Sequence, residues 1–94
     1  MKYLYNIYTK SIRPLTPESR WIDLSVTEGR LLEALSNNVL NRLCSISDYV
    51  YGYHNENTTY ALRIVKHNLV RKTNLNIDKK RKYGYELKDD IYFY

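Results

Sequence analysis

The chain has a single cysteine, Cys44, so no internal disulfide can staple it and the fold must rest on packing and hydrogen bonds. Such cysteine usage leads us to expect a reducing, cytoplasmic setting. Two prolines and three glycines leave no room for a low-complexity linker. Hydrophobic runs are short: none approaches the ~20 residues of a membrane span, and Met1 to Lys10 lacks the apolar core of a secretory leader. Groupings that carry chemistry are scarce as well. Two histidines, His54 and His67, and Cys44 are too few and too scattered for zinc. There is no glycine-rich phosphate loop and no nucleophile beside a base. Asp89 and Asp90 are neighbours, which suits a solvated tail better than a carboxylate pair across a cleft. No catalytic residue, cofactor or metal site is therefore expected, and the chain does not read as an enzyme.

Hydrophobic residues make up 44% of the 94, enough for one core, so residues 1–94 are expected to form one domain. Charge is unevenly placed. Residues 1–56 carry six Lys/Arg and six Asp/Glu, whereas residues 57–88 carry nine Lys/Arg against only Asp78 and Glu86, a net +7. Positive charge concentrated in one third of the chain is the electrostatic footprint of a face that meets a polyanion.

Local patterns divide the chain into strands, helices and a hairpin. "KYLYNIY", "SIR" and "RWIDL", broken by the turn-forming "RPLTPES", predict a short antiparallel sheet within residues 1–24. Three helices follow over residues 25–72. Ser25 and Glu28 have the spacing of a capping box ahead of Leu31, Leu32 and Leu35. Gly29 weakens that helix, which predicts a close neighbour there. Leu43, Ile46 and Val50 mark a second helix stopped by Gly52, and Asn57 or Thr58 is placed to cap the third. In the third helix Leu62, Val65 and Leu69 form an apolar stripe opposite Tyr60, Arg63, His67 and Arg71. Residues 75–88 then read as a hairpin around "KKRKYGY", with 89–94 a tail or strand.

Four of these segments carry a resemblance. "LSVTEGRLL" resembles the Leu-Thr-x-x-Glu-x-x-Leu-Leu opening of the first helix in the winged helix-turn-helix domain of OmpR/PhoB-type response regulators and ToxR/CadC-type regulators. "VYGY" sits where that family has Val-Trp-Gly, and "LVRK" resembles the Leu-Arg-Lys end of its recognition helix. "IDKKRKYGYEL" is similar to the wing motif Ile-x-Thr-Val-Arg-Gly-x-Gly-Tyr-x-Leu, with Arg81, Gly84, Tyr85 and Leu87 in register. Departures are Gly29 in place of a large apolar residue, and Asn68 and Val70 in place of paired arginines.

The resemblance implies an α+β winged helix-turn-helix with a short N-terminal antiparallel sheet, three helices and a C-terminal β-hairpin wing, without a receiver domain among these residues. It implies a transcription regulator that binds double-stranded DNA sequence-specifically, with helix 58–72 in the major groove and wing 77–87 at the minor groove. Arg63 would read a guanine edge, with Tyr60, Lys66 and His67 reaching bases or phosphates and Arg71 the backbone. Thr58 and Thr59 would meet phosphate at the helix start. Arg81 would enter the minor groove, flanked by Lys79, Lys80 and Lys82 as phosphate neutralisers.

Alternatives stay open: a protein-interaction module on the same frame, contacting RNA polymerase or another host protein through Tyr53–Asn57, or a partition or replication protein. Enrichment in Lys, Asn, Ile and Tyr is common in chains from AT-rich phage or plasmid genomes. The apolar terminal strands "KYLYNIY" and "DDIYFY" are expected to pair within the domain or across a homodimer.

Overall fold

The computed structural model describes residues 1–94 as an α+β fold of three helices and seven strands. Four strands make the first sheet: β1 (Lys2–Asn6), β2 (Ser11–Pro14), β3 (Ile22–Asp23) and β7 (Asp90–Phe93), in the order β3-β2-β1-β7. β1 to β3 are antiparallel, as expected, but β7 pairs with β1 in parallel. The sheet is thus mixed, and the two terminal strands pair with each other inside the domain. Sequence pattern extends the first strand to Tyr8; it ends at Asn6 because the Asn6 carboxamide accepts the Tyr8 and Thr9 N–H groups, closing a turn that Lys10 finishes in the left-handed region.

Helix α1 (Val26–Leu35) starts at the expected capping box: the Ser25 hydroxyl accepts the Glu28 N–H and the Glu28 carboxylate accepts the Ser25 N–H. Gly29 lies against the first sheet, where a Cβ would come within 2.7 Å of both Lys10 and the Tyr5 hydroxyl. Helix α2 (Leu43–Tyr51) ends at Gly52 with φ 84°, the left-handed cap its sequence called for. Ahead of it Asn41–Arg42 form a two-residue strand, β4, which the sequence pattern does not signal.

Helix α3 (Glu56–Thr73) begins earlier than expected. Asn55, not Asn57 or Thr58, is its cap, accepting the Thr58 N–H while the Thr58 hydroxyl accepts the Asn55 N–H. β5 (Ile77–Lys80) and β6 (Gly84–Leu87) form the hairpin, and β4 joins it in a second sheet of order β4-β6-β5. Leu31, Leu32, Leu35, Ile46, Val50, Leu62 and Leu69 from the helices meet Tyr3, Tyr5 and Ile12 from one sheet and Tyr85 and Leu87 from the other in one core. No helix is long and apolar enough to cross a membrane.

Asp89 is not part of a solvated tail. It is buried, accepts the Asn76 N–H at 2.7 Å and pairs with the Met1 amino group at 3.2 Å, fixing the turn between β6 and β7. A buried carboxylate survives because both partners replace its lost water.

Candidate functional site

The apolar stripe of α3 sets what its other faces can do. Leu62 and Leu69 are fully buried and Val65 partly so, which turns Tyr60, Arg63, His67 and Arg71 to solvent. The hairpin lies beside this helix. Its register sets Lys79 opposite Tyr85 and Lys80 opposite Gly84. Directly opposed residues share a face of the ladder, so Lys79 stands on the same side as Tyr85. The Lys66 ammonium lies 5.6 Å from the centre of the Tyr85 ring, a cation–π contact between α3 and β6.

Between helix and hairpin runs a groove of about 450 Å³, lined by Leu43, Thr59, Arg63, Lys79, Lys80, Arg81, Lys82, Gly84 and Tyr85. Five of its nine lining residues are cationic. The salt bridges of the chain involve the amino terminus, Lys10, Lys72 and Lys88, and none uses a groove cation. Lys88 also occupies the two hairpin carboxylates, Asp78 at 3.8 Å and Glu86 at 3.1 Å, away from the tip. The groove therefore carries unneutralised charge held in place by backbone structure, which a line of phosphates would satisfy. The Tyr85 hydroxyl beside it is pushed above the usual tyrosine range by burial, although Arg63 acts in the opposite direction. It stays protonated and adds no negative charge.

Of the residues singled out from sequence, Thr59, Arg63, Lys79, Lys80, Arg81 and Lys82 converge on this groove. Tyr60, His67 and Arg71 are exposed on α3 outside it. Lys66 lies partly buried against Tyr85, so it ties α3 to β6. Thr58 does not belong to the surface: it is buried, and its hydroxyl is engaged in the helix cap.

Sequence reasoning missed Arg42 and Tyr83. The Arg42 guanidinium lies 5.4 Å from the Tyr83 ring centre and its Nε donates to the Tyr83 hydroxyl at 3.3 Å. The Leu43 N–H donates to the Tyr83 carbonyl at 2.8 Å. A second hollow continues there, lined by Arg42, Leu43, Cys44, His54, Thr59, Lys82 and Tyr83. Nothing local to Arg42 predicts this, because its partner lies 41 positions away.

Cys44 is exposed, and no group of His, Cys, Asp or Glu side chains is placed to hold a metal ion. No protein-family model, curated protein or solved structure matches the chain.

Proposed function

We propose that the chain binds double-stranded DNA sequence-selectively, as a small transcription regulator of the winged helix-turn-helix kind that its four motifs resemble. The observation that carries this reading is the groove in which Arg63 of α3 faces Lys79, Lys80, Arg81 and Lys82 of the hairpin with no carboxylate among them. An α-helix fits the ~12 Å major groove, and α3 exposes a polar, cationic face over its 18 residues. In this reading Arg63 donates to a guanine edge and His67, Tyr60 and Arg71 follow the groove. Arg81 reaches the minor groove as the hairpin lies across the backbone, and the three lysines neutralise phosphates.

The test is duplex binding by fluorescence anisotropy across a salt series, together with selection of bound sequences from a random pool. Binding is expected to weaken steeply with salt. Removing one phosphate contact, as in Lys79→Ala, is expected to lower the slope of log K against log salt by about 0.9. Arg63→Ala is expected to relax sequence choice at one base pair, by about 1–3 kcal/mol. No duplex binding at 50 mM salt would overturn the reading. Retained biological activity after charge reversal of Lys79 to Lys82, with loss on substitution of Tyr53 to Asn57, would favour the protein-interaction module.

A further inference from the structure

Each sheet has two edges, and three of the four are protected against pairing with another chain. β3 and β4 are two residues long. β5 carries Asp78, Lys79 and Lys80, the charged residues with which natural edges are blunted. β7 is the least guarded, with one charged residue, Asp90, at its start. It is the outer strand of the first sheet and runs through Ile91, Tyr92, Phe93 and then Tyr94, with no proline or lysine, and Tyr92, Phe93 and Tyr94 are exposed.

Its backbone is half used. The Asp90 N–H donates to the Met1 carbonyl at 3.0 Å and the Tyr94 N–H to the Tyr5 carbonyl at 2.8 Å. In a parallel ladder alternate residues face the same neighbour, so Ile91 and Phe93 direct their N–H and C=O groups to the open side. Two such edges are self-complementary. An antiparallel pairing about a two-fold axis at Tyr92 lets Ile91 of one copy exchange both hydrogen bonds with Phe93 of the other, and the reverse, leaving no donor or acceptor between them unmatched.

Charge favours a second copy at this edge over any strongly charged partner. The N-terminal half of the chain is electrically balanced and β7 itself carries only Asp90, while the excess positive charge sits in α3 and in the hairpin of the other sheet. Two copies can therefore meet at β7 without setting their cationic grooves against each other. Size sets the condition for assembly. A four-residue edge offers far less than the ~800 Å² per partner of a standard stable interface, so the pair should form where another interaction raises the local concentration.

We infer that β7 is a homotypic pairing edge that joins two copies bound at neighbouring sites on one DNA duplex, Tyr92 lying against its counterpart on the two-fold axis. The inference rests on the DNA-binding reading for its setting. It predicts a continuous eight-stranded sheet and inverted rather than directly repeated half-sites.

The experiment is site-directed crosslinking. In a Cys44→Ser background, Tyr92→Cys places two thiols directly opposite, at a non-hydrogen-bonded pair where Cβ atoms stand ~4.5–5.5 Å apart. Added diamide takes two electrons and two protons from the thiols and leaves the disulfide. Rapid crosslinking, accelerated at least tenfold by a duplex selected from the random pool, is expected for Tyr92→Cys. Val26→Cys, a control elsewhere that is also exposed, should not respond to the duplex. Because residue 92 is on the surface, Tyr92→Lys should fold and bind a single half-site normally, yet lose cooperativity on the double site. A gel shift with no crosslink above the control overturns the pairing and leaves DNA binding standing. Crosslinking at high protein concentration without any gel shift supports the pairing and removes the DNA reading.

Discussion

Lys82 holds a backbone conformation that a side chain resists. Its φ of 60° puts the hairpin tip in the left-handed region, where a Cβ costs roughly 1–2 kcal/mol and glycine fits freely. A lysine kept in such a place supplies charge at the expense of backbone ease, a trade found where side chains act on a partner. Lys82→Gly should accordingly raise the melting temperature, by up to about 1 kcal/mol of stability once the looser unfolded chain is counted, while weakening duplex binding. Thermal denaturation and anisotropy on the same sample separate the two effects. Gly84 is the opposite case. A Cβ there would sit 1.6 Å from the Asn41 carbonyl oxygen, a contact backbone cannot yield to, so Gly84→Ala should detach β4 from β6. At Gly29 the obstruction is two side-chain ends at 2.7 Å, and an added alanine brings up to ~1 kcal/mol of helix preference. Gly29→Ala should therefore destabilise the fold less than Gly84→Ala does, in paired urea titrations.

Among the elements, those with local chemical signals were legible before the structure. Ser25 and Glu28 announced the start of α1, Gly52 the end of α2, and the alternation around Gly84 the hairpin. Each depends on residues within a few positions of one another. β4 and the parallel seat of β7 were not legible, because Asn41–Arg42 becomes a strand only when Gly84–Tyr85 arrives, and Asp90–Phe93 only against β1. The site divides along the same line. Arg63 and the tip cations stood out as charges in pattern, whereas Arg42, Tyr83 and the burial of Thr58 depend on contacts or caps that pattern does not show. Asn55 makes the cap of α3 measurable: Asn55→Ala should cost about 1 kcal/mol by denaturant unfolding, since it orphans the Thr58 N–H. Arg42→Ala should leave global stability unchanged but speed amide exchange at the hairpin tip, where its guanidinium rests on Tyr83.

At the scale of the whole molecule, two carboxylates on α1, Glu28 buried and Glu33 partly so, tie the layers together. Glu28 meets Lys72 of α3 at 2.8 Å, and Glu33 accepts from Tyr5 of β1, Lys10 of the β1–β2 turn and Tyr49 of α2. Burial by itself would raise both carboxyls, but the ammonium partner of each and the further donors outweigh it, and both titrate below the usual 4.5. Groups with lowered folded values stabilise the fold above their unfolded value, and that contribution disappears as pH falls through the folded one. The melting temperature should thus hold from neutrality down to about pH 5 and decline below 4.5. Glu33→Gln should be less stable than the parent at pH 7, with the difference narrowing in acid, which calorimetry over that range checks.

The parallel seam between β1 and β7 also bears on how the chain is made. Lys2 pairs with Asp90, so almost the whole sequence separates the two strands. On a ribosome adding ~5–20 residues per second, β1 emerges on the order of ten seconds before its partner exists. During that interval Tyr3 and Tyr5 have β2 and the helices but an open flank, and closing the seam late fixes a long loop at an entropic cost that slows the final step. β1, made ahead of the other six strands of this fold, is among the last to be fully clothed, and a nascent-chain binder would find it there.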